Sequence, residues 1–172
     1  AELGREVTRV LGYTLRPVSG PLRTAVGEVS LPLRAPPARE ELERMAAKGS
    51  GADKWVGGEM LRWLGEGKAL PKEYQTSVAV WQFGADLTLV ALPGEVVVDY
   101  VALLEEALGP LRLWLAAYSH DTFGYVPSAR VLREGGYETR GVYHGGIGYF
   151  APAVQDALVG KVRELAAAAG RK

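Results

Sequence analysis

The spacing of apolar residues predicts helices at both ends of the chain. Near the start, apolar residues recur at helical spacing, with no capping residue before them, at Leu3, Val7, Val10 and Leu11. Near the end, one apolar stripe predicts a longer helix and consists of Val154, Leu158, Val162, Leu165 and Ala169. Between them, the pattern predicts a strand over 24–33, a surface helix over 38–48 and a short helix around 56–64.

After residue 75 the pattern changes to short, strongly apolar runs. Strands are predicted over 75–83 and 87–92, joined by a hairpin-length turn, and the second is apolar on both faces, as expected for the interior of a covered sheet. A helix beginning near Glu95 and a buried strand over 111–118 follow. Strand, helix and strand with short joints form a βαβ unit, so the strands near 87–92 and 111–118 are expected to be parallel.

The chain is therefore predicted to be a single α/β unit over residues 1–172, with a mixed sheet and helices packed on its faces. Its twenty Lys and Arg residues balance twenty Asp and Glu residues, which removes the broad attraction that binding to nucleic acid or an anionic membrane needs. The absence of cysteine excludes disulfide scaffolds, thiol catalysis and cysteine-bound zinc.

We also expect a soluble chain without a membrane-spanning segment, because no apolar run reaches the necessary length. The first twenty residues are charged and interrupted by Pro17, which is not typical of a signal peptide. Export of the parent protein and the oligomeric state are left open.

The loops that follow the parallel strands are where a ligand site is expected, because open α/β sheets bind ligands outside the carboxyl ends of their strands. The first loop carries Glu95 after Pro93 and Gly94. In the predicted helix, Glu95 either complements the helix dipole or points into the crevice as a metal ligand or a base. Position in the sequence leaves both interpretations open.

The second loop, residues 118–128, gathers several reactive side chains directly after a strand. The consecutive residues Ser119, His120 and Asp121 do not form a catalytic triad, because adjacent side chains do not generally align for proton relay. A turn held by Asp121, a helix cap at Ser128 and simple packing of Tyr125 are the plainer interpretations.

Three motifs in this half follow one another in a specific order. They are Leu92-Pro93-Gly94-Glu95, the run 118–128 with Tyr125 inside it, and Glu134-Gly135-Gly136-Tyr137-Glu138. Upstream, Leu15-Arg16-Pro17 and the segment 40–43 continue the likeness over nearly the whole chain. Together they resemble the neutral/alkaline non-lysosomal ceramidase family, particularly its bacterial ceramidase-like members.

This resemblance implies a zinc-dependent amidase that hydrolyses the N-acyl bond of ceramide to sphingosine and a fatty acid. It assigns Glu95 and Tyr125 as zinc ligands, and it makes Tyr137 and Glu138 a matched pair without an assigned role. His120 and Asp121 are candidates to orient the ligands, and Tyr137 and His144 are further candidates for contact with ligand or substrate.

The resemblance also implies that the serine nucleophile and two histidine ligands come from an N-terminal portion without a counterpart here. No catalytic residue is therefore assigned within these 172 residues, which are expected to form the C-terminal portion of a larger ceramidase-like catalytic domain. By itself, such a portion is expected to bind metal weakly and to be inactive. Its expected partners are the N-terminal portion and an amide or lipid-like substrate.

Two alternatives stay open. One is a noncatalytic α/β domain that packs against or binds a partner, in which the Glu95 and Tyr125 side chains point apart or are separated by intervening side chains. The other is a self-sufficient metal hydrolase that uses Glu95, His120, Asp121 and His144.

Overall fold

The computed structural model describes residues 2–49, 51–109, 112–142 and 146–171. Its helices are α1 (Glu2–Leu11), α2 (Arg39–Lys48), α3 (Gly51–Gly65), α4 (Asp99–Leu108), α5 (Ala129–Glu134) and α6 (Val154–Ala168). Its strands are β1 (Leu22–Pro32), β2 (Glu73–Phe83), β3 (Leu87–Ala91), β4 (Glu95–Val96), β5 (Leu113–Ala116) and β6 (Tyr125–Val126). A 3₁₀ turn spans Tyr137–Thr139. His144 lies outside the described residues.

The main sheet has four strands in the order β1-β2-β3-β5. The pairs β1–β2 and β2–β3 are antiparallel, whereas β3 and β5 are parallel and are connected through α4. The α/β class, the mixed sheet and the parallel βαβ unit predicted from the apolar runs are confirmed. The second strand of that unit is shorter than predicted, and it is not buried throughout, because Trp114 is 60% exposed.

The main core lies between the sheet and α6. The apolar stripe of α6 is buried as its spacing predicts, and it packs with alternate residues of the strands, among them Val29, Val78 and Val90. This alternation follows from the two-residue period of a strand, which sends every second side chain to the same face.

The outer face of the sheet carries the intervening residues. One cross-strand row, fixed by the register, consists of Thr24, Trp81, Leu89 and Trp114. Trp81 and Leu89 are half-buried, while Trp114 and the neighbouring Val26 are exposed. The sheet therefore presents large apolar side chains on the side opposite its main core.

A second, smaller cluster joins α2 and α3. Its buried residues are Leu42, Val56, Met60 and Ile147. Tyr149 packs against the same cluster, and so the segment that follows the 3₁₀ turn lies against α2 and α3. In the part of the chain that the structure describes, no helix combines the length and apolar character needed to cross a membrane.

The start of α4 differs from the prediction. The sequence predicts a helix beginning near Glu95, but the helix begins at Asp99, and Glu95 belongs to the two-residue strand β4. The interpretation of Glu95 as a charge in the first turn of a helix is therefore wrong. The amphipathic pattern extends past the true helix start because Val96 and Val97 pack against the core from an extended segment.

Candidate functional site

Glu95 and Tyr125 are direct partners across two short parallel strands. Strand β4 pairs with β6 in a separate two-stranded sheet, with Glu95 opposite Tyr125 and Val96 opposite Val126. Residues in register on neighbouring strands project to the same face of a sheet. The Glu95 and Tyr125 side chains, which the sequence analysis selects as metal ligands, thus project side by side from the same face of this small sheet.

Backbone contacts between the two loops create this alignment. The Gly94 amide donates to the Asp121 carbonyl at 2.8 Å, and the Glu95 amide donates to the Gly124 carbonyl at 2.9 Å. Gly94 has a φ of +63°, and a Cβ added there would lie 2.8 Å from the Gly124 carbonyl oxygen. Position 94 therefore needs glycine for its conformation and for the close approach of the two loops.

The paired side chains line a cavity of about 490 Å³, which we call the acidic cavity. Its charged lining residues are Glu95, Asp99, Glu134, Glu138 and Arg130. Four carboxylates and one guanidinium give it a formal charge of −3. A concave site of one sign concentrates counter-ions, so this cavity favours a cation.

Arg130 neutralises one side of the acidic cavity. Its Nη2 lies 2.6 Å from Asp99 Oδ1, and its Nη1 lies 2.5 Å from Glu134 Oε2. Arg130, followed by the Ser128 hydroxyl, holds the pKa of Asp99 below its ordinary value. Ser128 also accepts the Val131 amide at 3.1 Å, which confirms it as the cap of α5.

The Tyr137–Glu138 pair also belongs to this site. Glu138 lines the acidic cavity, and the half-exposed Tyr137 ring meets the Tyr125 ring edge to face, with centroids 5.5 Å apart. The Arg140 guanidinium lies 4.6 Å from the centroid of the Tyr137 ring. The segment after α5 therefore supplies both a charge and an aromatic support to the paired strands.

The remaining candidates occupy different surroundings. His120 is exposed and adopts a left-handed backbone conformation, with φ of 68°. Asp121 accepts a hydrogen bond from the Tyr74 hydroxyl at 2.6 Å. Burial, followed by this hydrogen bond, raises the pKa of Tyr74. The Asp121 side chain is therefore bound by a tyrosine 47 residues earlier in the chain.

The donor chemistry at the paired strands fits a zinc ion in part. A carboxylate from Glu95 and a phenol oxygen from Tyr125 share one face of an acidic cavity, and Zn²⁺ accepts such oxygen donors. No group of three His, Asp or Glu side chains suited to a metal ion is present within residues 2–49, 51–109, 112–142 and 146–171. Further ligands would come from other residues.

Comparison with known proteins gives no assignment: no family model matches the chain, and no curated protein matches it significantly.

The sequence analysis did not identify Tyr74, which binds Asp121, or Arg130, which binds Asp99. Arg130 lies 31 residues from Asp99, and Tyr74 lies 47 residues from Asp121. No local pattern marks either pair.

Proposed function

We propose that this chain is the C-terminal part of a zinc-dependent amide hydrolase resembling neutral ceramidase, in which Glu95 and Tyr125 are metal ligands. The observation that supports the proposal most directly is the pairing of Glu95 with Tyr125 across β4 and β6, above the acidic cavity. The noncatalytic alternative expects these side chains to point apart or to be separated by intervening side chains. Partners in parallel register share a face, which argues against the first of these two arrangements.

Four residues of the chain have a defined part in this proposal. Glu95 supplies the carboxylate, Tyr125 the phenol oxygen, and Tyr137 limits the movement of the Tyr125 ring by edge-to-face packing. Glu138 adds negative charge to the cavity that receives the cation. A bound zinc ion supplies Lewis-acid chemistry, which polarises a carbonyl and acidifies water.

The resemblance extends the proposal to the complete enzyme. Two histidine ligands and a serine nucleophile come from the expected N-terminal portion, and the substrate is an N-acyl amide such as ceramide, cleaved to an amine and a fatty acid. Within this chain, backbone hydrogen bonds between the loops around Gly94 and Gly124 hold the two proposed ligand residues on paired strands.

The proposal is tested in the complete enzyme by replacing the two oxygen donors. We expect Glu95→Gln to lose most of the zinc after dialysis and at least about 100-fold in amidase activity, since it removes a ligand that orients the ion. Tyr125→Phe, which keeps the ring, is expected to show a similar but smaller loss. Metal content is measured by mass spectrometry, and activity with a fluorescent N-acyl amide.

Glu134→Gln is the matched control. It removes one negative charge from the same cavity but no strand-borne donor. If Glu95→Gln retains zinc and activity to the same extent as Glu134→Gln, then Glu95 acts only through the field of the cavity and the proposed ligand role is refuted.

The apolar outer face of the sheet favours a second candidate, a noncatalytic α/β domain that packs against another polypeptide. Exposed Trp114 and Val26 beside half-buried Trp81 are typical of a surface that another protein layer covers. In that case Glu95→Gln and Tyr125→Phe leave the zinc content of the complete protein unchanged, while Trp114→Ser weakens the association of the protein with its partner polypeptide in gel filtration.

A further inference from the structure

A second pocket, of about 890 Å³, lies between the α2–α3 pair and the 3₁₀ turn, and we call it the basic pocket. Its charged lining residues are Arg34, Arg44, Lys48, Arg140, Glu41 and Asp53. Four cations and two carboxylates give a formal charge of +2. Its sign is therefore opposite to that of the acidic cavity.

The two carboxylates of the basic pocket already have partners. Glu41 binds Arg44, with Nε 2.8 Å from Oε2, and Asp53 accepts the Tyr149 hydroxyl at 2.7 Å. Among the residues that the structure describes, Arg34, Lys48 and Arg140 form no ion pair with a carboxylate. Within the described residues, the basic pocket therefore contains three cationic groups that have no carboxylate partner.

The two arginines are held in place by aromatic rings. Arg34 lies 5.2 Å from the centroid of Tyr149, and Arg140 lies 4.6 Å from the centroid of Tyr137. Both guanidinium groups also act on the Tyr149 hydroxyl, where they oppose the rise in its pKa that burial and Asp53 cause. Two guanidinium groups from different segments therefore line one pocket, each stacked on a different tyrosine ring.

We propose that the basic pocket binds an oxyanion, a carboxylate, phosphate or sulfate group of a small molecule, with Arg34 and Arg140 as its direct ligands. Guanidinium groups bind such groups through paired hydrogen bonds, and stacking on an aromatic ring leaves their N–H edges available. Lys48 adds a third positive charge to the same pocket.

The pocket and the acidic cavity meet at Tyr137. This residue lines the basic pocket, while its ring packs on Tyr125 of the cavity. Tyr137 therefore connects the lining of the basic pocket to Tyr125, one of the two proposed metal ligands. We infer, on the basis of the proposed hydrolase function, that the preferred amide substrate carries an anionic group, which ceramide lacks.

Binding is tested first on the 172-residue chain, without metal or turnover. Inorganic phosphate and N-acetylglycine are titrated separately, and binding is followed by NMR of the arginine Nε–Hε signals. We expect saturable shifts with at least one of these two anions, and the anion that binds more tightly identifies the group. Arg34→Gln and Arg140→Gln are each expected to weaken binding about tenfold, the loss of one charged hydrogen bond.

Two further variants make this test specific. Asp53→Asn removes a negative charge from the pocket and is expected to tighten binding several-fold. Arg39→Gln is the matched control, because Arg39 lies on α2, pairs with Glu43 and does not line the pocket. The absence of saturable shifts below about 10 mM of either anion, or equal affinities of the Arg39→Gln and Arg140→Gln variants, overturns the proposal. Thermal unfolding confirms that each variant is folded.

The substrate inference is tested in the complete enzyme with two amides of equal acyl length, N-palmitoylglycine and C16 ceramide. Arg140→Gln is expected to raise the ratio of KM for the anionic amide to KM for ceramide about tenfold. Equal effects on both substrates overturn the substrate inference but not the hydrolase. Conversely, if the protein binds phosphate but Glu95→Gln does not change its zinc content, the oxyanion site is supported and the proposed hydrolase function is refuted.

Discussion

The acidic cavity and the basic pocket are neighbours of opposite charge, and one short segment separates them. Glu138 faces the cavity with its formal charge of −3, whereas Thr139 and Arg140 line the pocket with its charge of +2. Tyr137 contacts both sides, through Tyr125 and through Arg140. A single 3₁₀ turn thus divides two electrostatic environments.

This contrast shows how little a net charge says about local binding. A chain with formal net charge zero has no broad attraction for polyanions, and that conclusion holds for its surface as a whole. The sorting of charges by sign into two concave sites nevertheless gives these two sites opposite formal charges. The variants below separate the two sites, in order of decreasing expected effect.

The largest effect is expected when the strand pairing that forms the acidic cavity is disturbed. Gly94→Ala is expected to lower the free energy of unfolding by about 3 kcal/mol, because it adds the strain of a positive φ to a clash with the Gly124 carbonyl. Urea unfolding gives the value. Phosphate binding in the basic pocket, measured in the folded chain, should be preserved.

Gly67→Ala is the control for that variant. Gly67 also has a positive φ, of +73°, but among the residues that the structure describes nothing lies within 4 Å of a Cβ added there. The expected loss is about 1 kcal/mol from conformation alone. Equal losses at positions 94 and 67 would show that the contact with Gly124 is not what makes glycine necessary at position 94.

Next in size is the loss of the aromatic ring that joins the two sites. Tyr137→Ala is expected to weaken zinc binding in the complete enzyme and phosphate binding in the chain by about fivefold each, since one ring supports Tyr125 and Arg140. Tyr137→Phe keeps both contacts and should behave as wild type. If Tyr137→Ala weakens only zinc binding or only phosphate binding, then the ring does not support both sites.

A smaller effect is expected from a single charge at the boundary. Glu138→Gln is expected to weaken zinc binding about threefold through a screened loss of attraction, with phosphate binding changed by less than about twofold. Glu106→Gln, an exposed substitution on α4 outside both sites, is the control. Zinc and phosphate are each titrated into the Glu138→Gln and Glu106→Gln variants to measure these changes.

The smallest effect concerns pH. Because Arg130 and Ser128 lower the pKa of Asp99, the folded chain binds that proton less tightly than the unfolded chain. The resulting stability is present above the unfolded pKa of about 4 and is lost as pH falls through the lower native pKa. For this solvent-accessible pair we expect about 0.5 kcal/mol, absent in Asp99→Asn. If Asp99→Asn and wild type lose the same free energy of unfolding as the pH falls, then this pH dependence does not come from Asp99.

Much of the fold could be predicted because its signals are local. The stripe of α6 and the apolar runs of β2 and β3 specify burial by their periodicity, and the cap at Ser128 depends on only three following residues. The start of α4 was misplaced for the opposite reason. A two-residue strand has no periodicity of its own, and β4 exists because β6, 30 residues later, pairs with it.

The proximity of the loops that carry Glu95 and Tyr125 could be predicted from their positions after two parallel strands, but the pairing of the two residues across β4 and β6 could not. Their roles as metal ligands stay predictions. The basic pocket was not accessible. Arg34 and Tyr149 meet across 115 positions of the chain, and the arginines come from segments that no local rule brings together.

The outer row of Trp81, Leu89 and Trp114 has a practical consequence for anyone who purifies the isolated chain. Dyes such as ANS bind exposed apolar surfaces and usually signal a molten globule. Here the native sheet itself offers such a surface, with Trp114 60% exposed. Bright dye fluorescence from this protein is therefore compatible with a fully packed interior, and near-UV circular dichroism is the better criterion of its folding.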